Sequence, residues 1–317
     1  MNTYNSENAM TQKLTQPPYL KAGDTVAIVA PSGILLNRET EIERAKNLLK
    51  SWNLNVVIGK YIFNKNNHFA GTDYQRALDF QEALDNPNIK AIWCARGGYG
   101  AVRILDNLDY TKFKENPKWL IGYSDITALL SQVHNLGYEN IHGMMCTSLA
   151  DKKDDIAESI STLKKALFGE PLLYTLKSNK YNKNGEVKGL LIGGNLSILQ
   201  TMLGSETALD TTDKILFIEE IGEYKYHIDR LLQSLKRAGY FDNCKAVIVG
   251  DMTKLRRNTT SWGKPIEQLI LDVFEECDFP VLFDFPAGHE KDNRALIFGR
   301  NVELKITSYE STIEFEN

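Results

Sequence analysis

Three side chains far apart in this sequence have the chemistry of acyl transfer: the hydroxyl of Ser124, the carboxylate of Glu219 and the imidazole of His289. Ser124 follows a compact apolar run at residues 119–123 and precedes a stretch carrying Leu129, Leu130 and Val133 at helical spacing. A serine placed where a buried strand turns sharply into a helix has its hydroxyl held clear of the sheet. The neighbouring backbone N–H groups then point at whatever the hydroxyl attacks. The spelling Gly122-Tyr123-Ser124-Asp125-Ile126 lacks the second glycine of G-x-S-x-G. A lone serine before a helix is also an ordinary N-cap, so partners elsewhere must decide its role.

Glu219 closes the apolar run 215–218, and Glu220, Gly222 and Glu223 follow it. A carboxylate at the end of a buried strand can orient an imidazole and favour its charged form; the competing role is a set of solvated acids at a helix N-terminus. His289 lies in Gly288-His289-Glu290-Lys291-Asp292-Asn293, a loop after an apolar strand and Pro286. Of the other histidines, His68 and His134 read as surface residues, His142 sits in an apolar context and His227 on a charged helix. Gly97 and Gly98 can bring backbone N–H groups close to a ligand. Their setting, GGYGAVR, fits neither G-x-G-x-x-G nor a P-loop. The order serine, acid, histidine, each at a strand end, supplies a nucleophile, an orienting acid and a general base.

The elements that must position these groups alternate. Strands are expected at residues 26–30, 54–58, 89–95 and 119–123, separated by helical stretches. That pace implies right-handed βαβ units and a parallel sheet, whose functional crevice lies beyond the carboxyl ends of its strands. Pro31-Ser32-Gly33, Gly97-Gly98 and Ser124 all fall at such ends. Residues 1–20 are expected to form a flexible arm and 21–150 the nucleophile domain. The segment 151–186 reads as a charged helix, one short strand and a lysine- and asparagine-rich loop and is taken as the linker, with 187–317 a mixed α/β domain carrying Glu219 and His289. The fold class is therefore α/β in two parts.

Composition narrows the function. A length of 317 residues favours two domains. The net charge of −4 gives no electrostatic reason to expect nucleic acid as a partner. No apolar run approaches the roughly 20 residues that span a membrane, and the polar N-terminus does not read as a signal peptide. Cys94, Cys146, Cys244 and Cys277 are widely spaced and read as reduced packing residues of a cytoplasmic protein. The histidines show no metal-ligand spacing, so no metal site is expected.

The motifs VAPSG (29–33), ARGGYG (95–100), IGYSD (121–125), GGNL (193–196), FIEEIGE (217–223), Y-x-I-D-R (226–230) and AGHEKDN (287–293) occur in order over nearly the whole chain. Together they resemble the LD-carboxypeptidases, serine peptidases that include muramoyltetrapeptide carboxypeptidases and a microcin-immunity branch. The resemblance implies a flavodoxin-like parallel-sheet N-terminal domain with a smaller mixed α/β C-terminal domain, and a homodimer. It also implies a triad falling on Ser124, Glu219 and His289, with Glu220 as a rival acid that motif position disfavours. Backbone N–H groups of Asp125 and of Gly97 or Gly98 would form the oxyanion site, with no metal or cofactor. The implied substrate is a murein tetrapeptide, cut before its terminal D-alanine during cytoplasmic wall recycling. Two alternatives stand beside this. One is hydrolysis of aminoacyl-nucleotide conjugates, for which Trp262 is a candidate base platform; the other is a catalytically silent peptide binder. Arg96 and Arg230 are the basic groups nearest the motifs.

Overall fold

A computed structural model describes residues 14–316. The first half alternates strands and helices: β1 (Thr25–Val29), α1 (Glu39–Ser51), β2 (Asn55–Ile58), α2 (Asp73–Asp85) and β3 (Ile89–Cys94). Two short helices, α3 (Ala101–Ile104) and α4 (Thr111–Glu115), lead to β4 (Trp119–Gly122), α5 (Thr127–Asn135) and β5 (Asn140–His142). The central strands are apolar on both faces because helices cover both. Val26, Ile28, Ala91, Ile92, Trp119 and Ile121 are all essentially inaccessible to solvent. Helix α2 starts on a reciprocal capping box between Thr72 and Gln75, which satisfies two otherwise orphan N–H groups.

The second half begins with α6 (Ala157–Phe168) and β6 (Leu173–Lys177), then β7 (Gly185–Asn195), α7 (Leu196–Thr201) and β8 (Lys214–Ile221). Helix α8 (Lys225–Arg237), β9 (Ala246–Thr253), α9 (Ile266–Val273) and β10 (Val281–Leu282) follow. The chain ends in β11 (Leu296–Phe298), β12 (Asn301–Ile306) and β13 (Glu310–Phe315).

Two sheets result. The first runs β11-β5-β4-β3-β1-β2. Strands β1 to β5 pair in parallel and β11 joins antiparallel. Without β11, the order 2-1-3-4-5 is that of doubly wound flavodoxin-type sheets, whose crevice opens at the β1/β3 switch point. The second sheet runs β10-β9-β8-β7-β12-β13-β6, parallel from β10 to β7 and antiparallel beyond. The fold is thus mixed α/β.

Several expectations change. The helix and short strand expected in segment 151–186 are α6 and β6, and both are packed rather than free: α6 buries Leu163, Ala166 and Leu167, and β6 forms the edge of the second sheet. β7 starts at Gly185, inside the stretch that reads as loop. Of the arm expected at residues 1–20, residues 1–13 lie outside the described residues. Residues 14–20 are packed, with Leu14 and Leu20 buried and the Trp119 indole donating to the Pro18 carbonyl at 3.0 Å. His134, expected at the surface, is buried at the end of α5, where loss of solvent pushes its pKa down to about 4. Among the described residues, no helix is long and apolar enough to cross a membrane.

Candidate active site

Ser124 sits on the turn between β4 and α5. Tyr123 is extended (φ −155°, ψ −173°), and Ser124 then takes φ +61°. A non-glycine residue in that left-handed region costs of order 1–3 kcal/mol and is found where surrounding structure enforces it, commonly at functional sites. One enforcing contact is Asp125. Its buried carboxylate accepts the Ser32 hydroxyl at 2.6 Å and the Ala101 N–H at 2.8 Å, tying the segments after β1 and β3 to the turn after β4. Burial raises the Asp125 pKa, while these bonds and the Arg76 charge oppose that rise.

Gly97 closes the other side of the serine. A Cβ on it would lie 3.0 Å from Ser124 Cβ and 3.1 Å from Ser124 Oγ, so the position has almost no room for a side chain. The Gly97 carbonyl also accepts the Gly33 N–H at 3.0 Å. Gly98, at φ +108°, continues this turn in a conformation that favours glycine. From the second sheet, Gly194 reaches the start of α5. A Cβ there would come within 2.4 Å of Thr127 Cγ2, and the next residue, Asn195, donates its N–H to Thr127 Oγ1 at 3.0 Å. The GGN sequence therefore joins the second sheet to Thr127, three residues after Ser124.

Glu219 is fully buried near the end of β8, and its Oε2 lies 2.7 Å from His289 Nδ1. Burial alone would lower the His289 pKa. The Glu219 charge and hydrogen bond, with Glu220 and Asp251 behind them, outweigh burial and raise it. The other face of the imidazole meets the Tyr123 ring edge-on, with centroids 5.0 Å apart. The residue before the serine thus packs on the histidine that Glu219 holds. Burial also pushes the Tyr123 phenol up to about 12, with Glu219 adding to the shift.

Glu220 points elsewhere. It accepts the Ser197 N–H and hydroxyl at 2.8 and 2.6 Å, the Asn195 amide at 3.1 Å and its neighbour Ile221's N–H at 2.9 Å. These bonds hold the start of α7 and leave Glu219 as the acid on the histidine. His142 lies behind Tyr123, among Phe217 and Phe298, and burial pushes its pKa down to about 3. Arg96 is half-buried with its guanidinium on the Ile34 carbonyl, and Arg230 lies over the Tyr226 ring.

Sequence reasoning missed the support of the His289 loop. Ser159, on α6, accepts the Asn293 N–H at 2.7 Å and donates to the Lys291 carbonyl at 3.2 Å. Thr162, one helical turn on, accepts the Ala295 N–H at 3.0 Å. The sequence reads this stretch as a helix, but nothing in it states that the helix holds the loop of His289.

Comparison with known proteins agrees with this architecture. Over 304 residues the chain is 32% identical to a Bacillus subtilis protein named a probable murein peptide carboxypeptidase, covering 94% of each. It is 29% identical to the Escherichia coli microcin C7 self-immunity protein, covering 90% of this chain and 91% of that one. The crystal structure of muramoyltetrapeptide carboxypeptidase from Oxalobacter formigenes superposes with a TM-score of 0.83 at 26% identity, covering 92% and 99% of the two chains. Residues 26–143 match the LD-carboxypeptidase N-terminal domain and residues 188–304 the C-terminal domain, so this chain belongs to the LD-carboxypeptidase family.

Proposed function

We propose that this protein is a serine-type LD-carboxypeptidase that removes the terminal D-alanine from murein tetrapeptides. The observation carrying the reading is the buried Glu219–His289 pair, packed through Tyr123 against the strained turn that presents Ser124. Ser124 Oγ attacks the scissile carbonyl while the His289 imidazole takes its proton through Nε2. The same imidazole returns that proton to the departing D-alanine amine. Glu219, bonded to Nδ1, fixes the tautomer and stabilises the imidazolium. The backbone N–H of Asp125 and that of Gly97 or Gly98 stabilise the oxyanion; one such donor is worth about 3–4 kcal/mol in other hydrolases. Water, deprotonated by His289, then attacks the Ser124 ester. The Oγ–acyl bond breaks, Ser124 regains its proton and the shortened peptide leaves as a carboxylate, a route that calls for no metal or cofactor. On this reading the work is done in the cytoplasm by a homodimer.

A second reading, hydrolysis of aminoacyl-nucleotide conjugates, is favoured by one feature. An open cleft of about 520 Å³ is lined by Trp262, Lys225, Arg256, Arg257 and Lys264, an aromatic face among cations suited to a base and phosphate. The test offers both substrates to the protein in EDTA and follows each by mass spectrometry. Loss of one alanine from the tetrapeptide, with the conjugate intact, supports the first reading. The reverse pattern supports the second, and survival of both leaves a silent binder and rejects the proposal.

A further inference from the structure

We infer that Asp251 is a positioning residue that clamps the loop carrying His289 and sets its charge, an inference that rests on His289 acting as general base. The pairing of β8 with β9 slips beside the site: Ile218 pairs with Val249, but Glu220 pairs with Met252. Two residues, Gly250 and Asp251, therefore stand opposite the single residue Glu219. Such a bulge bends the strand and re-aims a side chain, and bulges are over-represented next to active sites. Here the re-aimed side chain is Asp251.

Asp251 grips the loop at two points. Its backbone N–H donates to the Ala287 carbonyl at 2.9 Å, and its Oδ2 accepts the Glu290 N–H at 2.8 Å. The residues held, 287 and 290, flank His289 on either side. The approach is close: a Cβ on Gly250 would lie 2.3 Å from the Ala287 carbonyl oxygen, so only glycine lets the loop down onto β9. A Cβ on Gly288 would lie 2.8 Å from Asp251 Cβ and 3.1 Å from Glu219 Oε2, so Asp251 and the acid partner of His289 border the same residue.

The charges agree with the geometry. The groups acting on Asp251 are Glu219, Glu290 and His289, and burial first, then the two acids, push its pKa up to about 6. The acids acting on His289 are Glu219, Glu220 and Asp251, all of which favour the imidazolium, while the Tyr123 phenol ring packs on it and His142, behind Tyr123, is electrostatically coupled to it. A carboxylate here thus does two separable things. It accepts a hydrogen bond that an amide oxygen could also accept, and it supplies a negative charge that an amide could not.

The test compares wild type with Asp251→Asn and Asp251→Ala. The His289 imidazole is titrated by ¹⁵N NMR, its signal assigned by its loss in His289→Ala, and kcat and KM are measured against pH. In both variants the His289 pKa is expected to fall by about one unit, the lower end of the effect of a nearby opposite charge. In Asp251→Asn kcat at its plateau stays within about threefold, with the acid limb displaced by the same amount. In Asp251→Ala the plateau kcat falls by a further tenfold or so while KM changes little, because the loop is released. An unchanged His289 pKa in both variants overturns the inference, as does an alanine loss that asparagine fails to rescue. If wild type hydrolyses neither substrate the functional reading fails, yet the NMR titration still decides the charge effect of Asp251.

Discussion

Glu219 and Glu220 are neighbours on β8, yet they serve opposite sides of the strand: Glu219 Oε2 lies 2.7 Å from His289, while Glu220 holds Ser197 and Asn195. Strand alternation makes this separation unavoidable. It predicts a split between two otherwise equivalent substitutions. Glu219→Gln should lower kcat by about 10⁴-fold with the fold intact, as when a triad acid is made an amide and the histidine takes the wrong tautomer. Glu220→Gln should leave kcat within about tenfold but cost roughly 1–3 kcal/mol of stability, because buried donors lose a charged acceptor. Steady-state kinetics and urea unfolding on both variants check this, and the reverse pattern would reassign the acid.

Gly97→Ala is predicted to damage turnover more than stability. The added methyl meets Ser124 Cβ and Oγ at 3.0 and 3.1 Å, so either Ser124 or the loop must shift. Displacement of a reacting group by an ångström costs about 100-fold. The expected result is a loss of that order in kcat with a thermal midpoint within a few degrees of wild type. Full activity in this variant would remove Gly97 from the site.

The activity should have an acid limb set by His289. The base works as neutral imidazole, and its pKa is raised above the ordinary value of about 6.5 by the acids around it, so kcat/KM should rise with pH through a midpoint above that value. The linked stability has the opposite sense. The ion pair of His289 with Glu219 adds stability fully present below about pH 6.5 and lost as pH rises through the raised folded value. A midpoint below 6.5 for kcat/KM would contradict this account of the pair.

His142 and His134 behave the other way. Both are buried, and burial depresses their pKa values to about 3 and about 4. The unfolded chain takes up protons near pH 6.5 while the folded chain does not, so stability falls as pH drops from there toward those values. His142→Phe should therefore unfold at lower pH than wild type, monitored by far-UV circular dichroism. An unchanged acid midpoint would mean that His142 is not held neutral.

Much of the site was legible because its signals are local. Apolar runs of four to six residues ending in Ser32-Gly33, Gly97-Gly98 and Ser124 mark buried parallel strands and their carboxyl ends, and the 2-1-3-4-5 order brings those ends together. What was not legible depends on distant partners. β11 crosses from the second half to pair with β5, a long-range contact that three apolar residues cannot announce. The start of β7 at Gly185 falls in a lysine- and asparagine-rich run that reads as loop. His134 lies in the last turn of an ordinary amphipathic helix and is buried where Ile192 and Gly193 of the second sheet pack beside it. Which of Glu219 and Glu220 contacts His289, and the bulge at Asp251, depend on the pairing partners of β8, which a single sequence does not state.

The most direct test of the central claim is to incubate a murein tetrapeptide with wild type and with Ser124→Ala, and to measure released alanine by chiral chromatography. The account predicts D-alanine from wild type and a rate lower by about 10⁴-fold or more in the variant. Release at comparable rates from both proteins, or none from wild type, would contradict it.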